Sequence, residues 1–371
     1  MGSLGDYPET IAETNSIPII DFSKWYNSSP ASRKEVAAQL ISAGKEYGFV
    51  YIVNHGVRQS SLDQAFAITK ALFDLPMEDK MKAPHPDGPD VHRGYSHPGL
   101  ELVTDYLGSD QNVGARERRE RAIDAKESFE VGAEDNELQP PVWLPESILP
   151  GFRKITTDFY WECHAISLEI LRCVAVGLGL DEDSLIRFHS GRYNQLRLLH
   201  YPPVPAEELE SGRTARNPAH TDWGSITMLF QDECGGLEVE HPRKPGTFIP
   251  VNPVEGACVM NIGDMLMRWS NDLLKSSRHR VRQPPRDDRY SGPERMTRAR
   301  YSIPYFIVTD PDTLIECLPT CIDEEHPAKY EPVVQEDWAR LRRGIQYPTA
   351  KAKMEFDTVT GAPQAMVAGV H

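Results

Sequence analysis

Apolar residues in the first half of the chain recur mostly with a helical period. Over residues 32–47 and 60–75 they are spaced three or four apart, which makes each stretch an amphipathic helix, and Pro76 stops the second. Residues 151–179 extend the pattern into a longer helix, with Phe159, Cys163, Ile166, Ile170 and Cys173 on one face. Residues 17–21 and 48–53 are instead short apolar runs of strand type. The second is closed by Asn54-His55-Gly56, where His55 reads as a turn residue. Residues 83–98 hold too many Pro and Gly for a regular element. Residues 104–125 interleave acids with bases, which predicts a solvated helix or mobile flap rather than a nucleic-acid patch.

After residue 190 the period falls to two. Residues 196–201, 225–230, 237–240, 248–251, 257–262, 279–281 and 300–306 read as short strands. Turn residues such as Pro202-Pro203, Gly235-Gly236, Lys244-Pro245-Gly246, Glu255-Gly256 and Pro284-Pro285 separate them. Regularly spaced short strands indicate a β-sandwich or barrel. The expected architecture is α+β: a jelly-roll core at about 190–310, buttressed by a helix-rich N-terminal part at about 17–180, in a single domain over residues 1–371. Residues 1–16 and 350–371 are polar or small and are expected to be loosely held.

Composition narrows the partners. A length of 371 residues with 40% hydrophobic content supports a well-buried core, and the net charge of -15 speaks against nucleic acid or an anionic membrane. An anionic substrate would need local arginines. No apolar run is long enough to span a bilayer, and the N-terminus shows no basic-then-apolar leader pattern. Met1-Gly2 is followed by Asp6 where an acylation signal wants Ser or Thr. The six cysteines are scattered, and Cys317 and Cys321 lack the second pair that a zinc site would need. Reduced thiols and a cytoplasmic location are expected.

The candidate chemistry begins at His220-Thr221-Asp222. In an extended segment, residues two apart point the same way, so an imidazole and a carboxylate meet at one point. An open divalent site needs a third ligand from a neighbouring strand, and His279 is the best candidate. In Ser277-Arg278-His279-Arg280-Val281 it faces away from Arg278 and Arg280. Two imidazoles and one carboxylate on one side of a metal leave positions open, which suits Fe(II) and O2. A His-x-Asp pair alone is weak, because such pairs arise by chance and strand histidines are commonly structural.

Arg300-Tyr301-Ser302 strengthens the reading. Arg300 and Ser302 share a strand face, where a guanidinium and a hydroxyl can hold a carboxylate such as the distal one of 2-oxoglutarate. The tripeptide alone reads equally well as a surface strand with an exposed arginine. Arg197, Leu199 and Tyr201 also share a face. Tyr201 can donate to a carboxylate and Arg197 can bind an acidic or carbonyl-rich substrate, although each alone can be structural. His92, His97, His164, His189 and His200 lack partners at metal spacing and are read as structural or exposed. Asn261-Ile262-Gly263-Asp264 reads as a strand end and tight turn, with Asp264 as turn former.

The segment HTD, with a later SRHRV and RYS and an earlier LHYPP, resembles the isopenicillin N synthase-like group of Fe(II)/2-oxoglutarate dioxygenases. IPIIDFS (17–23), GFVYIVNHGV (48–57), RGYSHPG (93–99) and KESFEVG (126–132) are similar to the same family, so the likeness runs from about residue 17 to about 335. LRLLHYP, AHTDWGSITMLFQDECGGLEV, NIGDMLMRWSNDLLKSSRHRV and RYSIPYF most resemble fungal thymine 7-hydroxylase and its secondary-metabolite relatives. The resemblance implies a double-stranded β-helix with metal ligands His220, Asp222 and His279. It implies 2-oxoglutarate held by Arg300, Ser302 and Tyr201, and substrate contacts from Arg197, Trp223 and Phe306. Parity agrees for Phe306, which shares the face of Arg300 and Ser302. Thymine hydroxylases carry Tyr at the position of Trp223; indole is larger and offers only an N–H donor, so a flat substrate other than thymine is expected.

The expected reaction is O2- and 2-oxoglutarate-dependent oxidation, chiefly hydroxylation, of an activated C–H on a small aromatic, heteroaromatic or polyketide-like molecule. Substrate identity, regiochemistry, the number of oxidation rounds, desaturation against ring rearrangement, and oligomeric state are left open. Three alternatives stand beside it. An iron oxidase without 2-oxoglutarate is one, since isopenicillin N synthase and aminocyclopropane-carboxylate oxidase also carry Arg-x-Ser. A non-catalytic small-molecule-binding β-barrel is another, against which the intact His-x-Asp…His speaks. A zinc hydrolase would want a general base beside the metal and no Arg-x-Ser.

Overall fold

Strands in this chain send alternate side chains into two separate cores. In Phe49–Val53, Val50 and Ile52 pack with the helices, whereas Phe49 and Tyr51 enter a second, smaller core. Gln195–Tyr201 divides in the same way, with Leu196 and Leu198 on one side and Leu199 and Tyr201 on the other. Strands buried on both faces read as near-continuous apolar runs. The computed structural model describes residues 17–346 apart from 27–28, 89, 101–122, 212–213, 284–289 and 294. The two terminal stretches expected to be loose, and most of the charged 104–125 segment, lie outside the described residues.

The strands that build the site are β1 (Ile19–Asp21), β2 (Phe49–Val53), β3 (Gly94–Ser96), β4 (Glu127–Val131) and β5 (Gln195–Tyr201). They continue with β6 (Asn217–His220), β7 (Ile226–Gln231), β8 (Leu237–Glu240) and β9 (Phe248–Pro250). The last are β10 (Ala257–Ile262), β11 (His279–Val281) and β12 (Arg300–Ile307). An eight-stranded major sheet runs β1-β2-β10-β7-β12-β5-β4-β3, and a four-stranded minor sheet runs β9-β8-β11-β6. Only β1 and β2 pair in parallel; the other pairs of these two sheets are antiparallel. The smaller core lies between the sheets and joins Leu199, Tyr201 and Val259 of the major sheet to Leu237, Val239 and Val281 of the minor one. Two facing antiparallel-rich sheets with the site between them form a jelly-roll core.

The outer face of the major sheet is covered by α1 (Pro30–Glu46), α2 (Gln59–Phe73) and α3 (Phe152–Gly177). Ser29 caps α1 by accepting from the Ser32 amide, and Pro30 supplies the preset first turn. Phe129, Phe152 and Phe159 are almost wholly buried at this interface. The long helices cluster in the first half, as the sequence pattern suggested, and further helices lie beyond it. Asp264 opens a short helix, α4 (Asp264–Trp269), rather than a plain turn, and α5 (Gln335–Gln346) lies after the last core strand. The Pro- and Gly-rich 83–98 stretch does contain a strand, β3. β4 leaves no mark in the hydrophobic pattern, because its inward residues Ser128 and Glu130 are polar although both are buried.

Gly48 ties the helical layer to the minor sheet. It adopts a left-handed φ of 67° between α1 and β2, and a Cβ there would run into Lys275 O and Ser277 Oγ. Its carbonyl accepts from Ile262 N at 2.9 Å. Gly48→Ala is expected to destabilise the protein by about 1–3 kcal/mol, measured by urea denaturation. An unchanged midpoint would contradict this account of the turn.

Candidate functional site

The antiparallel pairing of β6 with β11 sets His220 directly opposite His279, with ring centres 4.3 Å apart. Asp222 does not lie on a strand, as the period-two argument supposed: β6 ends at His220, and Thr221-Asp222 begins the loop that leads to β7. The loop still returns the carboxylate to the imidazoles. Asp222 Oδ1 lies 3.8 Å from His220 Nε2 and 3.6 Å from His279 Nε2. Among the described residues this is the one group of three or more potential metal ligands, with its ligand atoms all within 4.8 Å of one another.

Surrounding contacts fix how each group presents itself. His220 Nδ1 lies 2.9 Å from Pro218 O, and His279 Nδ1 lies 3.2 Å from Ser277 O. Carbonyl oxygens only accept, so both Nδ1 atoms carry the hydrogen and both Nε2 lone pairs are left for a ligand. Burial, then the neighbouring His279, hold the His220 pKa below its ordinary value, which favours the neutral imidazole a metal needs. Asp222 Oδ2 accepts from Thr227 Oγ1 at 2.6 Å and from Asn261 Nδ2 at 2.7 Å. Thr227 and Asn261 are cross-strand partners on the inner face of the major sheet. Burial opposes ionisation of Asp222, and the hydrogen bonds from Thr227 and Asn261 work against it to hold the side chain as a carboxylate. Oδ1 thus faces the imidazoles as carboxylate.

Asp264 ties the ligand segments together one layer further out. Its amide donates to Asp222 O at 2.8 Å, and its carboxylate accepts from Thr221 Oγ1 at 3.4 Å and Ser276 Oγ at 2.7 Å. Gly263 beside it permits this closeness, because a Cβ there would strike the carbonyl of Gly224.

Arg300, Ser302 and Tyr201 form the second group. Arg300 and Tyr201 are cross-strand partners, and each of the three is 1% exposed, so the exposed-arginine reading of this tripeptide does not hold. Arg300 Nη1 donates to Ser302 Oγ at 2.9 Å and Nη2 to Gln231 Oε1 at 3.2 Å, with Cζ 5.1 Å from the Tyr201 ring centre. Among the described residues no carboxylate lies within ion-pair distance of Arg300, and its Nε has no hydrogen-bond partner. A buried guanidinium in that state is costly, and an incoming carboxylate relieves it.

The three remaining residues are arranged differently. Arg197 pairs with Glu130 (Nε–Oε1 2.7 Å), its partner across β4 and β5, and lies 3.0 Å from His92 Nε2. His92 Nδ1 in turn meets His85 Nε2 at 3.0 Å, so His92 is a buried member of this polar chain and not an isolated residue. Phe306 is half-buried on the inner face, next to Thr227 in register. Trp223 is half-buried beside Asp222, and its ring makes no contact with that of Phe306; it lies under the guanidinium of Arg342 instead. Sequence reasoning missed Thr227, Asn261, Glu130 and Arg342. A signal existed for the first two: each is a polar side chain at inward parity in an apolar strand.

This donor set fits Fe(II), since two imidazoles and one carboxylate oxygen converge with their other atoms already bonded. The buried guanidinium of Arg300, with Ser302 and Tyr201 beside it, fits a carboxylate. Residues 17–147 match the N-terminal region of the non-haem dioxygenases of morphine synthesis, and residues 192–309 match the 2OG-Fe(II) oxygenase superfamily. The 2-oxoglutarate-dependent dioxygenase frbA of Dothideomycetidae sp. (strain 11243) is 36% identical over 352 residues, 94% of this chain and 99% of its own. The proline hydroxylase buaE of Petromyces alliaceus is 37% identical over 84% of this chain and 93% of its own. The solved structure of Neurospora crassa thymine 7-hydroxylase with 2-oxoglutarate and thymine superposes with a TM-score of 0.78 at 35% identity, over 90% of this chain and 98% of its own.

The chain belongs to the 2OG-Fe(II) oxygenase superfamily. It is a 2-oxoglutarate-dependent dioxygenase, an oxidoreductase that uses Fe(II), 2-oxoglutarate and O2 on a small-molecule substrate. That assignment decides against the iron oxidase without 2-oxoglutarate, the non-catalytic barrel and the zinc hydrolase. Asn261→Ala is expected to lower Fe(II) affinity about 10- to 100-fold by releasing one side of Asp222, read by anaerobic metal titration. Affinity equal to wild type would show that Asn261 does not orient the carboxylate.

Proposed function

We propose that His220, Asp222 and His279 hold Fe(II), and that Arg300, Ser302 and Tyr201 receive the distal carboxylate of 2-oxoglutarate. Arg197, Trp223 and Phe306 then border the substrate. The observation that carries this reading is the two-sided Asp222 carboxylate, with Oδ2 taken by Thr227 and Asn261 and Oδ1 turned to both Nε2 atoms. Bound iron and 2-oxoglutarate supply the activation of O2, coupled to decarboxylation of 2-oxoglutarate to succinate.

The protein's own part is positioning and exclusion of water. Thr227 and Asn261 occupy Oδ2 and keep the carboxylate from turning. Pro218 O and Ser277 O hold the two imidazoles in one tautomer. Arg300 fixes the position and direction of the co-substrate through its distal end. Leu199, Val239 and Val259 pack between the sheets, and an apolar surrounding strengthens charge interactions beside it. Arg197 is oriented by Glu130 and His92 before any ligand arrives.

The substrate we infer is a small, flat, uncharged ring compound with a carbonyl or N–H edge. Glu130 offsets the charge of Arg197, which supports a neutral hydrogen-bonding partner over a free anion. Half-buried Trp223 and Phe306 supply apolar walls. The thymine bound by the Neurospora crassa relative is of this class, and Trp223 argues for a differently shaped member of it. We place the reaction in one catalytic domain, because β1 to β4 and the later strands share one sheet. Six unpaired thiols support a reducing, cytoplasmic setting.

Two outcomes test the proposal. Arg300→Met should raise the apparent KM for 2-oxoglutarate on the order of 30-fold or more, as expected for removing one partner of a buried charge pair, in an assay of succinate formation. An unchanged KM would reject the assignment of the distal carboxylate. In anaerobic Fe(II)·2-oxoglutarate enzyme, uncharged heteroaromatic amides should perturb the metal-to-ligand charge-transfer band and matched carboxylic acids should not; the reverse order would overturn the substrate class.

A further inference from the structure

We propose that Arg342, on helix α5, is a positioning residue for the active site. It sets the indole of Trp223 and the backbone beside Asp222, and so makes the C-terminal helix part of the substrate wall. The inference rests on the metal and substrate assignments proposed above.

Arg342 is 4% exposed, although it lies more than a hundred residues beyond the metal-binding loop. Its Nη2 donates to Thr221 O at 3.2 Å and reaches Thr221 Oγ1 at 3.4 Å. Its Nη1 is 3.5 Å from Asp264 Oδ2, and its Cζ is 5.7 Å from the centre of the Trp223 ring. One guanidinium therefore contacts the residues immediately before and after Asp222, without itself bonding to Asp222. Trp338 stands one helical turn earlier on the same face, with its ring centre 5.8 Å from the Arg342 Cζ. Arg268 of α4 approaches that ring from 5.5 Å.

The chemistry of these partners separates positioning from simple attachment. A helix held only by packing would need Trp338 alone. A buried charge on a peptide carbonyl is a directional bond, and the planar guanidinium over indole restricts the ring's tilt. Asp264 makes the arrangement cooperative. Its carboxylate meets Arg342, Thr221 and Ser276, and its amide holds Asp222 O, so the helix is linked to the segments carrying both Asp222 and His279. Trp223 borders the substrate, so the tilt that Arg342 imposes shapes that pocket, while the ligand atoms stay under the separate control of Thr227 and Asn261.

Fluorine NMR of the full chain labelled with fluorotryptophan tests this. The six tryptophans give six signals, and those of Trp223 and Trp338 are assigned with Trp223→Phe and Trp338→Phe. In Arg342→Met the Trp223 signal should shift and broaden, with Trp25, Trp143 and Trp161 unmoved. Arg342→Lys keeps the charge opposite Asp264, protects against misfolding, and should give a smaller Trp223 shift. Both variants should keep the Fe(II)·2-oxoglutarate charge-transfer band at wild-type intensity. A shift of Trp338 alone, or a Trp223 signal identical to wild type in both variants, overturns the inference. Absence of the band in the wild-type enzyme would instead defeat the metal and co-substrate assignment on which it rests.

Discussion

The carboxylate of Asp222 is the constraint around which the rest is organised. Each of its oxygens has a different duty. Oδ2 is bound by Thr227 and Asn261 from the major sheet, and Oδ1 faces His220 and His279 from the minor sheet. The side chain therefore spans the gap between the two layers. A buried carboxylate without those donors would bear the full penalty of desolvation, and its pKa would rise. With them it stays ionised at the point where a divalent cation is needed. The cross-strand register that places Asn261 opposite Thr227 is thus as much a part of the site as the ligands themselves.

The helical layer serves the same end indirectly. It covers the outer face of the major sheet, which lets β10 and β7 be buried on both sides and held in one register. Gly48 brings the end of α1 against the segment that leads to His279, and Asp264 gathers that segment, the loop before Asp222 and α5. Shared polar contacts of this kind restrict the segments they join to one arrangement. The co-substrate end is built differently. Arg300 is buried with Ser302 and Gln231 as its hydrogen-bond partners and Asp232 and Arg216 as charged neighbours, a setting in which an added carboxylate has a direct partner.

Much of this was legible in the sequence because period two carries over directly to side-chain direction. The strand 300–306 was readable from Arg300-x-Ser302 and its apolar neighbours, and Ile303, Tyr305 and Ile307 do enter the helix-side core while Arg300 and Ser302 face inward. The loop position of Asp222 was not readable, because a turn beginning immediately after a strand leaves no mark in hydrophobic spacing. β4 was hidden for a related reason. Its inward Ser128 and Glu130 are polar yet buried, because Glu130 accepts from Arg197, Gln195 and Ser128 itself. The partnership of Arg342 with Thr221 depends on where a distant helix docks, which no local pattern encodes.

The most direct test of the central claim is a crystal structure of the enzyme prepared anaerobically with Fe(II) and 2-oxoglutarate. The account predicts iron bonded to His220 Nε2, His279 Nε2 and Asp222 Oδ1. Asp222 Oδ2 should still be held by Thr227 and Asn261, and the distal carboxylate of 2-oxoglutarate should lie against Arg300 and Ser302. Iron bound through any other protein ligand, or a distal carboxylate directed away from Arg300, would contradict it.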